Sequence, residues 1–476
     1  MKRTRRLFFT SLSAAVTAGV VAASVTAAAS PRPDAHTTAR PASCVKQTGP
    51  ATTPADPAPT SVSTVQQAYY CIIDNYYGSA RLDTRTLLRS AFRSVVAELV
   101  KQGIDAPDAV MPALTGDRDK DWAAFGARLR STLETASGKE PVRSALAVAA
   151  IKGMLTALHD NHARYQAAVA PRPWGLGLTL NQDDPGGDTS RYTDPLFIRA
   201  VTANSPAATA GLKPGDIIQA VNGVAPFSNG TFNAGVMGYL HVAYPKKDPV
   251  RLRVLRPSTG RTRTFTVTPG TLPSSPAHVS AKLTNGGIAR IQFDQFYPGV
   301  AREALKAIAD LRAQTKITGV IIDLRGNRGG LGAEAATLLG AFVHNTFYVN
   351  FCDVGGKCDP QPVDDRTPLL NLPVVTLTDG NCASACDVFA MAVKDLRLGQ
   401  LVGTRTAGAS SGPSFGYLLN DNASMLTLPA QHALGAKGEI IDTIGVPPDY
   451  QRPLTAADIS TNKDPAMDKA VSLLAH

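Results

Sequence analysis

The chain has 476 residues, of which 44% are hydrophobic and 18% charged, and it carries a formal net charge of +10. That length exceeds one ordinary core and predicts two to four domains; the composition excludes a disordered or fibrous chain. No block of Lys and Arg interleaved with aromatics occurs, so nucleic acid is not an expected partner.

At the N-terminus Lys2, Arg3, Arg5 and Arg6 precede a weakly apolar run from Leu7 to about Val25, and Ala27-Ala28-Ala29 supplies a small-residue cleavage site. Residues 1–29 therefore read as an export signal. Its arginine pair leaves both the general secretory and the twin-arginine routes open. Removal takes away four positive charges and no negative one, which leaves +6. No other stretch approaches the ~20 apolar residues of a membrane span, so the expected product is secreted or held in the cell envelope.

Residues 30–60, with prolines at 31, 33, 41, 50, 54, 57 and 59, read as an extended, poorly ordered linker. From 61 to 168 apolar residues recur at helical spacing, as in Leu87-Leu88-Ala91-Phe92-Val95, and predict a helical domain. Over 169–272 short alternating runs broken by Gly and Pro predict a β domain. From 278 to 455 strands alternate with helices: Ile288 to Phe293, a helix near Ala301 to Gln314, Gly319 to Leu324, a helix near Ala333 to Phe342, Val374 to Thr378, and a helix near Ala383 to Lys394. This alternation predicts an α/β layer with crossover helices, and residues 456–476 form a C-terminal tail or helix.

Six cysteines fall into three local groups, Cys44 with Cys71, Cys352 with Cys358, and Cys382 with Cys386. In an exported chain this favours disulfides, although proximity does not choose among the 15 pairings. Zinc is disfavoured because no Cys or His cluster has ligand spacing. Were Cys382 and Cys386 on one helix, a bond between them would be awkward. The expectation is a bond from one of them to Cys352 or Cys358.

Three motifs carry chemistry. The run SPAATAGLKPGDIIQAVNG spans 205–223, and Gly175-Leu176-Gly177-Leu178 precedes it. Pro206 should start a short helix, Gly211 end it with positive φ, and Asn222-Gly223 make a tight turn. Asp323-Leu324-Arg325-Gly326-Asn327-Arg328-Gly329-Gly330 follows a buried strand and leads into a helix; its glycines allow close backbone approach to an anion, but no P-loop pattern is present. In Asn381-Cys382-Ala383-Ser384-Ala385-Cys386-Asp387 a serine stands where a helix dipole and free N–H groups favour developing negative charge. Taken singly, Ser384 reads better as an N-cap.

The 205–223 run resembles the PDZ domains of bacterial proteases. In that module the backbone of Gly175, Leu176, Gly177 and Leu178 holds a peptide carboxylate while the peptide adds as a strand; a spacer without ligand is the bland alternative. Together the three motifs, over roughly residues 75 to 450, resemble the tail-specific, C-terminal processing serine peptidases. The resemblance implies a crotonase-like ββα-spiral catalytic domain, Ser384 as nucleophile, an oxyanion hole from Ala385 with Gly329 or its neighbour Gly330, polypeptide substrates, and no cofactor or metal. Ala409 stands where one branch of that family has its lysine base, and Lys394 and Lys437 lie off the matching position. The sequence instead resembles the tricorn-like branch that uses histidine: His159-Asp160-Asn161-His162-Ala163-Arg164-Tyr165 implies His162 as base, with His159 as alternative. Asp442, ahead of Gly445-Val446-Pro447, implies the third member, with Glu439 as runner-up. A histidine base predicts activity rising through ~6.5. The competing reading is an inactive relative that binds a peptide or apolar ligand on the same fold.

Overall fold

The computed structural model describes residues 44–47, 58–136, 140–166, 173–182, 192–242, 244, 246–273, 279–284 and 286–475. The expected export signal, residues 1–29, lies outside them. Helices Val62–Asn75, Thr84–Lys101, Arg118–Ala136 and Glu140–Thr156 turn their apolar stripes inward. Tyr69, Leu87, Leu88, Phe125, Leu129, Ile151 and Met154 form the centre of this core.

Two late strands complete that helical core. Ser414–Leu418 and Met425–Pro429 pair as a hairpin, flanked by Val45–Lys46 on one side and Arg164–Gln166 on the other. They send Tyr417, Leu426 and Leu428 into the helical core. Residues 44–47 of the expected loose linker are therefore ordered: they form an edge strand, and Cys44 is bonded to Cys71.

The β segment holds Leu178–Leu180 against Ile198–Val201, and a sheet ordered Arg261–Val267, Val250–Arg256, Ile217–Val221. Its turns follow local chemistry. Ser205 caps helix Pro206–Ala210 by accepting the Ala208 N–H at 3.2 Å, and Gly211 ends that helix at φ 88°. Asn222 and Gly223, at φ 50° and 87°, close the turn between Val221 and Val224.

The α/β segment is a six-stranded sheet ordered Ser280–Thr284, Ile288–Gln292, Gly319–Asp323, Val374–Thr378, Gly399–Gly403, Tyr450–Gln451. Only the first pair is antiparallel. Gly319–Asp323 and Val374–Thr378 are buried at every position, because helices cover both faces. Val300–Gln314, Gly332–Gly340 and Ala385–Asp395 pack on one face, and Pro465–Leu474 on the other.

A buried ion cluster ties the last helix to the carboxyl end of the third strand. Asp323 is 0% exposed and pairs with Arg290 at 2.6 Å and Arg325 at 2.7 Å, while Arg325 also pairs with Asp464 at 2.8 Å. Removing Arg325 leaves Asp323 still paired with Arg290, so the cost is less than the about 3–5 kcal/mol of a buried charge left wholly uncompensated. Arg325→Ala is expected to lower the denaturant midpoint accordingly; an unchanged midpoint in urea unfolding would remove the cluster from the fold's support.

Candidate active site

The carboxyl ends of the adjacent parallel strands Gly319–Asp323 and Val374–Thr378 open into two turns that meet. After Thr378 the chain runs through Asp379 to Ser384, and helix Ala385–Asp395 begins. Ser384 has φ 60° and ψ −122°, a region that a residue with a Cβ occupies only under restraint. Its N–H is donated to Ala409 O at 2.6 Å and to Asp387 Oδ2 at 3.0 Å.

Asp387 is 0% exposed and accepts two further N–H groups, from Gly408 and Ala409, each at 2.9 Å. Burial outweighs these donors and pushes its carboxyl up to about 6. One side chain thus binds the serine turn to the 408–409 loop. Sequence reasoning gave Asp387 no role. Its place three residues after the helix-capping position, where an acid can reach back to the capping N–H, was the available signal.

The other turn lies against the serine. A Cβ built on Gly329 would stand 2.5 Å from Ser384 Cβ and 2.9 Å from Ala385 N, so only glycine fits. The Gly329 N–H is donated to Asn327 Oδ1 at 2.9 Å, and Asn327, 0% exposed, also bonds Phe293 O. Gly330, at φ 135°, sits against the Phe296 carbonyl, where a Cβ would collide. As the first residue of its helix, Ala385 has an N–H without an intrahelical acceptor.

The cysteine expectation is overturned. Cys382 is bonded to Cys386, Cys352 to Cys358, and Cys44 to Cys71. The helix starts at Ala385, not before, so Cys382 lies in the turn; its Cα is 5.2 Å from that of Cys386, within disulfide range.

His162 lies between helix Glu140–Thr156 and strand Arg164–Gln166, which pairs with Met425–Pro429. Its backbone N–H is donated to Asp160 Oδ1 at 2.9 Å, and its ring Nδ1 faces Asn161 Oδ1 at 2.7 Å. Burial, aided by Arg164, lowers the imidazole to about 4. Asp160 also accepts the Tyr76 hydroxyl at 3.2 Å. Burial raises its carboxyl, with Asp442 close enough to add to the effect and Ser411 within hydrogen-bond reach. Asp442 accepts the Ser410 N–H at 3.0 Å and the Ser411 hydroxyl at 3.2 Å.

The chain therefore brings Ser384, Gly329, Gly330 and Ala385 together directly. Asp442 reaches them through the 409–411 loop, and His162 lies beside Asp160 at the edge of the same cluster. No hydrogen bond joins the Ser384 hydroxyl to His162, or His162 to Asp442. His159 is exposed. Glu439 lies beside Asp395, against Gly435, at the opposite end of the serine helix. Lys394 is engaged with Pro447 O and Asp449.

In the β segment, Gly175 and Gly177 have φ 147° and 83°, and a Cβ on Gly177 would meet Ser205. The Leu176 carbonyl accepts the Ala207 N–H and that of Gly177 the Thr202 N–H, each at 2.9 Å. This segment also touches the serine turn. Arg199 pairs with Asp379 at 2.6 Å, and Asn381 Nδ2 is donated to Leu180 O at 3.1 Å.

Residues 287–452 match peptidase family S41, and residues 197–231 match the PDZ domain. The chain is 26% identical over 310 residues to the carboxy-terminal processing protease CtpB of Bacillus subtilis (strain 168), covering 64% of this chain and 63% of that protein. It is 27% identical over 322 residues to the carboxyl-terminal-processing protease of Synechocystis sp., covering 66% and 71%. The chain thus spans somewhat less than two thirds of the first relative's length. Among solved structures, a photosystem II D1 C-terminal processing protease superposes with a TM-score of 0.51 at 22% identity, covering 87% of this chain and 97% of that one; this is a likeness of fold.

Asp387 gives a test of the turn. Its folded pKa lies above the ordinary value, so its contribution to stability is complete below about 3.8 and declines as pH rises through about 6. A shift of some two units corresponds to about 3 kcal/mol. In Asp387→Asn this decline should vanish, so thermal unfolding at pH 3.5 and 8 should show the variant gaining on the wild type as pH rises. A constant difference would mean that the buried carboxylate does not titrate with folding.

Proposed function

We propose, from its PDZ and family S41 segments, that this chain is an exported serine endopeptidase of the tail-specific, C-terminal processing kind, with Ser384 as nucleophile and His162 as general base. The observation that carries the reading is the Ser384 turn: a strained serine at a helix N-terminus, with a glycine loop against its Cβ. Strain of this kind is kept where it serves function.

In the proposed reaction neutral His162 takes the Ser384 proton, and Ser384 Oγ attacks the scissile carbonyl. The oxyanion is held by the N–H of Ala385 and that of Gly330, since Asn327 already occupies that of Gly329. The imidazolium returns its proton to the leaving amine, and water releases the acyl group. Asn161 fixes the ring through Nδ1, leaving Nε2 to act as base. Asp442 is the acidic member, holding the 410–411 loop and adding its charge beside Asp160, whose carboxylate accepts the His162 backbone N–H.

Substrates are polypeptides with an unstructured C-terminal segment. The PDZ segment binds their carboxylate at the loop Gly175-Leu176-Gly177-Leu178 and adds them along strand Leu178–Leu180. Its tie to the serine turn, through Arg199 and Asn381, suits delivery of a captured chain to the site.

A fluorophosphonate should label the wild type and not Ser384→Ala; an unlabelled wild type would favour the inactive binder. His162→Ala should lower kcat by about three orders of magnitude or more, and near-normal turnover would dismiss it as base.

The pH profile tests the same assignment. Because burial holds His162 near 4, its acid limb should fall well below the ~6.5 expected of a solvated histidine. A kcat/KM still climbing above pH 8 would indicate an amine base instead.

A further inference from the structure

We infer that the Cys382–Cys386 disulfide positions the nucleophile, so that hydrolysis depends on oxidation of this pair. The inference rests on Ser384 being the nucleophile, as proposed above.

The bond brackets Ser384, two residues to either side, and both half-cystines are 0% exposed. It also joins the segments that surround the serine. The Cys382 carbonyl accepts the Ala407 N–H at 2.8 Å, on the segment that continues to Ala409. Cys386 Sγ stands 3.8 Å from the Leu324 carbonyl, at the root of the loop that carries Gly329. Through one covalent link the serine turn, the 407–409 loop and the glycine loop share a reference point.

Loop length separates this role from ordinary stabilisation. Closing a long loop removes more freedom from the unfolded chain than closing a short one. Cys44–Cys71 spans 27 residues and Cys382–Cys386 only four, so of the two the bond at the serine contributes less to global stability. What it restrains is local: a residue at φ 60° relaxes toward the ordinary helical region unless its neighbours forbid it. Were Ser384 to relax, its side chain would leave the place it holds against Gly329.

The redox step is a thiol–disulfide exchange. Two thiols at 382 and 386 give up two electrons and two protons to a small-molecule disulfide such as oxidised glutathione, which leaves as two thiols. Because both sulfurs are buried in the folded chain, exchange belongs to folding, before the core closes. A chain folded under reducing conditions is then assembled but inactive, and one folded in an oxidising compartment is active.

The experiment compares full-length wild type, Cys382→Ala/Cys386→Ala, and Cys44→Ala/Cys71→Ala. Fluorophosphonate labelling rate, kcat and KM on an unstructured polypeptide, and Tm are measured for each. The 382/386 variant should lose about 10- to 100-fold in labelling rate and kcat, with KM changed less than about twofold. The 44/71 variant should lose Tm and keep kcat per folded molecule. Wild type refolded with dithiothreitol should reproduce the 382/386 loss, and regain activity when refolded with oxidised glutathione; this arm also serves if the variant does not fold. Labelling and kcat within about twofold of wild type in the 382/386 variant, or activity unaffected by refolding under reduction, overturns the inference while leaving Ser384 as nucleophile. An unlabelled wild type removes the nucleophile assignment itself, and the inference with it.

Discussion

The backbone of Ser384 cannot hold φ 60° and ψ −122° unaided, since a side chain in that region costs of order 1–3 kcal/mol. Its N–H is shared between the Ala409 carbonyl and the Asp387 carboxylate. Asp387 is fixed in turn by the N–H groups of Gly408 and Ala409. These directed bonds oppose the relaxation of the turn, whatever the cost of burying the carboxylate that accepts them. The sheet beneath provides the foundation, because strand Val374–Thr378 is buried on both faces and cannot yield to release the turn.

A second constraint is topological. His162 and Ser384 are separated by 222 positions in the chain, and no local propensity brings them near each other. The late hairpin links the segments that carry them. Ser414–Leu418 and Met425–Pro429 contribute Tyr417, Leu426 and Leu428 to the helical core, while Met425–Pro429 pairs with the strand that begins two residues after His162. The same stretch of chain starts at the 409–411 loop, which receives the Ser384 N–H and holds Asp442. Burial of the hairpin's apolar face therefore ties the strand after His162 and the loop that receives the Ser384 N–H to one stretch of chain.

What the sequence made legible followed from local chemistry. Ser205, Pro206 and Gly211 start and stop a helix by their own backbone preferences, and the buried strands at 319 and 374 are short runs rich in β-branched residues between turns. Where pairing is non-local the pattern was silent: the 414–429 hairpin and the edge strand Val45–Lys46 take partners from remote segments. The disulfide expectation failed on two residues of helix boundary, since a start at Ala385 rather than Ala383 frees Cys382 to turn back. The expected imidazole pKa failed for a different reason. Desolvation depends on burial, and the strand that begins two residues after His162 is paired with Met425–Pro429 from far along the chain.

Asp379 shows how the PDZ segment and the serine turn are made interdependent. One carboxylate oxygen receives the N–H groups of Gly326 and Asn381, which fixes the start of the glycine loop and the middle of the serine turn. The other pairs with Arg199, on the strand beside Leu178–Leu180. Both partners are largely shielded, with side chains 17% and 20% exposed, so separating them exposes less to water than a surface pair would and costs more. The Arg199 guanidinium also lies against Gly326, where any larger residue would displace it. Movement of the β segment away from the sheet must therefore be accompanied by loss of a charge partner at Asp379. The two N–H groups that remain there hold the loop and the turn only as firmly as an acceptor without its counterion allows, so the geometry around Ser384 and the seating of the PDZ segment are set by a shared electrostatic contact.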